Sequence, residues 1–304
     1  MVTTSVTATS IAALGYHCKK RFLDWQQDQL NELLRRSCIE EHEMQQHQNM
    51  VQTLTRYFGT LNKKIACLCD TDQTVQGIRD GNMSKVEGWE KLKTQVMTKL
   101  LLTIHSSCIL TMLVSVQLSA ASAVLFKSSE NNTENKTTER YFCKIKHFLD
   151  QGMFNLWTDF EDCVGSHSKV LSLENKVTQH DMLEFIEKCN ADIKHCVSDL
   201  IKMQLEDDVE LKDKSLKLLI LVTLDILESK EFQFTLANLI SEATLNFGQE
   251  LDELMKAEHI PLPKLIPQIN TLCSLSLNRT DYLNILMKSR QVKCLSRSIY
   301  EALI

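Results

Sequence analysis

Turn formers are scarce in this sequence. Its 304 residues include eight glycines and three prolines, far below the roughly 7% and 5% of ordinary soluble proteins. Such a chain cannot make the many tight reversals of an all-β protein, and it lacks the glycine period of collagen. Eleven cysteines are present, but their number is odd and no CxxC pair occurs. They read as reduced thiols in a cytosol-facing protein rather than as a disulfide framework. Four glycosylation sequons, at Asn82, Asn131, Asn135 and Asn278, are weaker than this thiol argument and are taken as chance. Neither sign of charge dominates: 34 basic residues stand against 39 acidic ones, a net of −5. No field therefore draws in a phosphate backbone, and nucleic acid is not expected as a partner.

The common marks of catalysis are also missing. There is no GxxxxGK[ST] phosphate loop, no GxGxxG after a strand and no GxSxG elbow. His42-Glu43-Met44-Gln45-Gln46-His47 looks like a zinc-protease HExxH with one residue too many. Four helical steps bring the second His to within about 40° of the first, whereas five carry it about 140° away, so the segment reads as a solvated face. Cys189, His195 and Cys196 match no common zinc spacing. No enzyme, cofactor, metal or small-molecule substrate is expected from these residues.

What the sequence has is helix. With 43% hydrophobic and 24% charged residues, it can bury a large core in long helices. The expectation is an all-α fold, a single elongated multi-helix bundle over residues 18–304, preceded by a short membrane-anchor segment at 1–17. Met1 to His17 is uncharged and is followed at once by Lys19, Lys20 and Arg21, the order of a short N-terminal anchor. Leu100 to Phe126 is a second uncharged run, 27 residues long and sufficient to cross a bilayer. Nine of its residues are polar, among them His105, Ser106, Ser107 and Gln117, so a buried core helix is preferred.

Along the chain, Val51, Leu54, Phe58, Leu61, Ile65 and Leu68 recur at alternating steps of 3 and 4 and form one helix stripe. A short helix near Thr74 to Arg79 ends in the turn signal Asp80-Gly81-Asn82. Ser84 and Glu87 then form S-x-x-E, a capping box that starts a helix running to about Phe126. After a polar loop, Lys127 to Glu139, a helix is expected over Arg140 to Cys163, followed by a connection from Gly165 to Gln179. Leu183, Ile186, Asn190, Ile193, Val197 and Leu200 predict one amphipathic helix, with Asn190 its only polar interruption. Helices follow over Lys214 to Leu227 and, capped by Ser229, Lys230 to Lys256. Pro261, Pro263 and Pro267 mark a corner before helices near Leu265 to Leu275, Tyr282 to Lys288 and Gln291 to Leu303.

The sharpest local feature lies just after Ser84. Lys85, Trp89 and Leu92 stand at i, i+4 and i+7, so a cation, a large aromatic and an aliphatic group share one stripe. Val75 and Ile78 precede the turn. Spacing alone leaves two readings open: a groove for a partner's amphipathic helix, or a tryptophan that plugs the core of a generic scaffold or tether.

Ser84-Lys85-Val86-Glu87-Gly88-Trp89-Glu90-Lys91-Leu92-Lys93, with Val116-Gln117-Leu118 beyond it, resembles the peroxin-three family. Leu227-Glu228-Ser229, Phe232, Pro261 to Pro267, Gln291-Val292-Lys293 and Ile299 to Leu303 extend the resemblance in the same order. The resemblance implies a non-enzymatic docking receptor at the peroxisomal membrane with its bundle facing the cytosol. It further implies a soluble partner, a peroxin-nineteen-like cargo receptor that docks through an amphipathic helix and escorts peroxisomal membrane proteins for insertion. Trp89, Lys85 and Ile78 carry over as the receptor groove, with Leu92, Val75 and Arg79 beside them. Gly88 stands where the family has an apolar residue and is expected to loosen the first helical turn, at about 1 kcal/mol relative to Ala.

Overall fold

The computed structural model describes residues 3–127, 134–193, 197–201, 213–255 and 260–303. It describes side chains from residue 20 on, apart from 42, 43, 125–127, 134–136, 170 and 198. The expected anchor side chains, the His42-Glu43 pair of the HExxH look-alike, and His195 and Cys196 therefore lie outside the described residues.

The chain divides into two compact units, Met1–Gln46 and His47–Ile304. Helix α1 spans Thr3–Leu68. Within the first unit it exposes Phe22, Leu23, Trp25, Leu33 and Leu34, with the rings of Phe22 and Trp25 5.9 Å apart. Glu32 there accepts from both Arg35 and Arg36, at 3.1 and 2.9 Å.

The second unit is all-α apart from one short antiparallel pair. Its order, after the last turns of α1, begins with α2 (Thr71–Arg79), α3 (Lys85–Lys127) and α4 (Glu134–His147). A π-helical turn at Phe148–Gly152 leads into α5 (Met153–His167), β1 (Lys176–Val177), α6 (Gln179–Asp192) and α7 (Val197–Ile201). Then come α8 (Lys214–Glu228), α9 (Lys230–Met255), β2 (Ile260–Pro261), α10 (Leu262–Ser276), α11 (Thr280–Lys288) and α12 (Arg290–Leu303). Strand β1 pairs with β2, Lys176 opposite Pro261.

Helix α3 is the axis of this unit. At 43 residues it is about 65 Å long, and α2, α4, α5, α8, α9, α10 and α12 all pack on it. It is the one described helix long and apolar enough to cross a membrane, yet 83% of its apolar window is buried within the fold. The expectation of a core helix holds. Its polar residues are accommodated in two ways. Thr103, Ser106, Thr111 and Ser119 donate to the carbonyl four residues back, a bond that needs no outside partner. Others reach across the bundle: Ser107 meets the Tyr282 hydroxyl at 2.7 Å, Ser119 meets Ser296 at 2.9 Å, and the Gln117 amide donates to the Tyr141 carbonyl at 3.2 Å.

Around this axis the predicted stripes are in place. Leu54, Phe58, Leu61 and Ile65 are buried, and Val51 and Leu68 pack against the same core. Ser229 Oγ accepts from the Phe232 amide at 3.1 Å and starts α9. Cys69, Cys108, Cys189 and Cys273 are buried free thiols. Burial pushes those of Cys69 and Cys273 up to about 12, so they stay protonated and pack as small apolar groups.

Two expectations are corrected. The helix expected over Leu183 to Leu200 is two helices: Ile193 takes an extended backbone, at φ −95° and ψ 112°, and ends α6 at Asp192. The helix expected over Arg140 to Cys163 starts earlier, ends later and widens into the π turn at Phe148–Gly152. There Gly152 allows close approach, since a Cβ on it would lie 2.5 Å from the Leu200 carbonyl oxygen of α7.

Candidate functional site

The corner between α2 and α3 gathers the residues singled out by the sequence. Asp70 caps α2 by accepting from the Gln73 amide at 3.0 Å, replacing a hydrogen bond that the helix cannot supply at its first turn. The other end closes as a Schellman motif: Gly81 N donates to Ile78 O and Asn82 N to Gly77 O, at 3.4 and 3.1 Å. This closure needs a left-handed residue, and Gly81 supplies it at φ +73° without the Cβ penalty. The chain then re-enters helix at Ser84, whose Oγ accepts from the Glu87 amide at 3.2 Å.

Helix α2 is fastened to α3 by polar and apolar contacts. Thr74 donates to Gln95 Oε1 at 2.7 Å, and the Gln95 amide donates to the Asp70 carbonyl at 3.2 Å. Nearer the tip, Gly88 is buried under Ile78: a Cβ on Gly88 would lie 2.3 Å from Ile78 Cγ1 and 3.4 Å from Met83 Sδ. The first turn of α3 is closed at this glycine, where Gly88 N donates to Ser84 O at 2.9 Å. The missing side chain is what lets Ile78 settle against α3.

The stripe of Lys85, Trp89 and Leu92 runs from solvent into the core. Lys85 is exposed and Trp89 partly buried, while Leu92 is buried at 5% exposure. Trp89 and Val75 both pack against the core cluster, and Ile78 is half-buried while Arg79 is exposed. Leu92 thus belongs to the core under the corner, whereas Val75, Ile78 and Trp89 reach the surface with Lys85 and Arg79. One residue escaped the spacing argument. Val86 is 75% exposed and sits about 100° around the helix from Lys85, off the stripe that drew notice.

Just inside the corner, Lys93 anchors α3 to the turn after α5. It is 3% exposed, donates to the carbonyls of Ser168 and Leu171 at 3.3 and 3.0 Å, and pairs with Glu90 at 2.6 Å. Lys99, a turn and a half deeper, donates to Asn270 Oδ1 and Ser274 Oγ at 2.6 and 2.8 Å. Both cations are engaged within the fold, whereas Arg79, Lys85 and Lys91 are exposed.

The architecture is that of an all-α bundle organised on one buried central helix, with an aromatic residue half-covered where that helix begins. No family model matches the chain. Peroxisomal biogenesis factor 3 of Rattus norvegicus is 22% identical to it, with 95% of this chain and 90% of the rat protein aligned. The Homo sapiens and Bos taurus proteins of the same name are 22% and 23% identical over the same shares. These similarities, over nearly the whole of each chain, support membership of the peroxisomal biogenesis factor 3 family.

Proposed function

We propose that this protein acts in peroxisome biogenesis as a non-enzymatic docking receptor at the peroxisomal membrane. Residues 1–17 anchor it and the helical bundle faces the cytosol. The α2–α3 corner receives an amphipathic helix of a peroxin-nineteen-like cargo receptor, and in doing so supports insertion of peroxisomal membrane proteins. The observation that carries this reading is the state of Trp89. Its indole packs against the core yet keeps part of its surface in solvent, and Val75 and Ile78 on the neighbouring α2 are likewise half-buried. A rigid aromatic of this kind is a common centre of binding energy. Lys85 and Arg79 at the rim favour a visiting helix whose apolar stripe is edged by carboxylates.

The test is binding of a peroxin-nineteen N-terminal peptide to the full chain and to Trp89→Ala. A central interface tryptophan is worth 2 kcal/mol or more on truncation, so Kd is expected to rise about thirtyfold or beyond. Equal affinity for the two proteins removes the site and leaves a scaffold with Trp89 as part of its core.

A further inference from the structure

A second constellation lies elsewhere on α3's flank, where the last turns of α5 meet the end of α6. Cys163 and His167 are four residues apart on α5, so both point from one helix face. Asp192, the last residue of α6, comes up against them: its Oδ2 is 2.6 Å from His167 Nε2. One donor atom from each of Cys163, His167 and Asp192 lies within 4.8 Å of the other two. A cavity of about 500 Å³ opens beside them, lined by Asp159, Asp162, Cys163, Ser166 and Asp192.

We propose that Cys163, His167 and Asp192 bind one divalent cation of the zinc type, with a fourth coordination position open to this cavity. The donor set selects the ion. A thiolate and an imidazole with a single carboxylate suit borderline-soft Zn²⁺, whereas Mg²⁺ and Ca²⁺ require oxygen ligands throughout. The geometry is close to what zinc needs. Donors on a tetrahedral zinc stand about 3.3–3.6 Å apart, from bond lengths of about 2.0–2.3 Å. Small side-chain rotations gather the thiol inward and part the His167–Asp192 contact. The residues can make such rotations, since the side chains of His167 and Asp192 are 26% and 61% exposed.

The surroundings favour a cation. The cavity beside the three donors is lined by two further carboxylates, Asp159 and Asp162, which add negative charge around it. Cys163 is half-buried, and its thiol points toward the Cys189 carbonyl, 3.9 Å away. On binding, the thiol proton leaves to solvent and the sulfur turns to the metal. The ion would fasten the end of α6, where the backbone leaves helix at Ile193, onto α5.

Cobalt(II) reports this site directly. The full chain is freed of metal with a chelator and titrated with Co²⁺, then with Zn²⁺ as competitor. One equivalent should produce a thiolate-to-cobalt absorption band in the near ultraviolet together with the visible bands of a four-coordinate ion, and zinc should abolish both. Cys163→Ser should eliminate the ultraviolet band. His167→Gln and Asp192→Asn, at a half-buried and an exposed position and checked for retained fold by circular dichroism, should each weaken binding tenfold or more, while Cys67→Ser, an exposed thiol elsewhere, should change nothing. No band at stoichiometric cobalt, or a band that persists in Cys163→Ser or keeps full affinity in both His167→Gln and Asp192→Asn, overturns the proposal.

Discussion

A histidine inside an apolar helix is an ionisable group with little room to ionise. His105 is 2% exposed, and Nε2–H donates to Asn190 Oδ1 at 2.8 Å, with the Phe160 ring packed against it, centroids 4.8 Å apart. Burial brings its pKa down to about 4 from the ordinary 6.5, and the Asn190 contact offsets this only in part. The folded ring is neutral over a range where the unfolded ring is charged. Between pH 6.5 and 4 the unfolded chain therefore holds more protons, and stability falls as pH falls through that window. For this one group the total is on the order of 3 kcal/mol, with no further loss below pH 4. Urea denaturation at several pH values checks it. His105→Gln, which keeps a donor for Asn190, should show a shallower decline than the parent chain, and parallel curves would refute the account. Asn190 was legible in the sequence only as an interruption of an apolar stripe; its partner is 85 residues away, beyond the reach of any local pattern.

Between elements, the same limit decides what periodicity can tell. The start of α3 was legible because Ser84, Glu87 and the Asp80-Gly81-Asn82 turn act on their immediate neighbours. The break between α6 and α7 was not. Ile193, Val197 and Leu200 continue the 3 and 4 spacing because the two short helices pack on one core in matching phase. The π turn at Phe148–Gly152 was hidden for a related reason: it contains no proline, and its glycine answers to the distant Leu200 carbonyl. At the α2–α3 corner, the shared helix face of Lys85 and Trp89 followed from spacing, while the role of Gly88 depended on a contact across the turn. That contact gives a prediction. Gly88→Ala gains about 1 kcal/mol of helix propensity but meets Ile78, and overpacking of this kind costs about 1–3 kcal/mol. The expected net effect is a loss of about 1 kcal/mol in urea denaturation. In an Ile78→Ala background the obstruction is gone and the same change should stabilise, a coupling that a double-mutant cycle measures. Additive effects would mean that the two residues do not meet.

Taken whole, the molecule has two long uncharged runs, residues 1–17 and Leu100 to Phe126. The all-α class followed from the shortage of turn formers, and the core role of Leu100 to Phe126 from its nine polar residues, most of which bond within the helix or across the bundle. In the proposed reading the uncharged residues 1–17 form the membrane anchor. A tagged full-length chain is expected at peroxisomes, and a chain lacking residues 1–17 in the cytosol, by fluorescence microscopy. Peroxisomal signal from the truncated chain would show that targeting does not depend on an N-terminal anchor.

The central placement of α3 has a consequence for how the protein is made. Helices α4, α5, α8, α9, α10 and α12, which cover it, all follow it in the chain, so a ribosome extrudes this long apolar helix well before its wrapping. Until the last of these is synthesised, the nascent chain carries this long apolar segment without its full covering, and uncovered hydrophobic surface of that kind makes folding intermediates prone to aggregate.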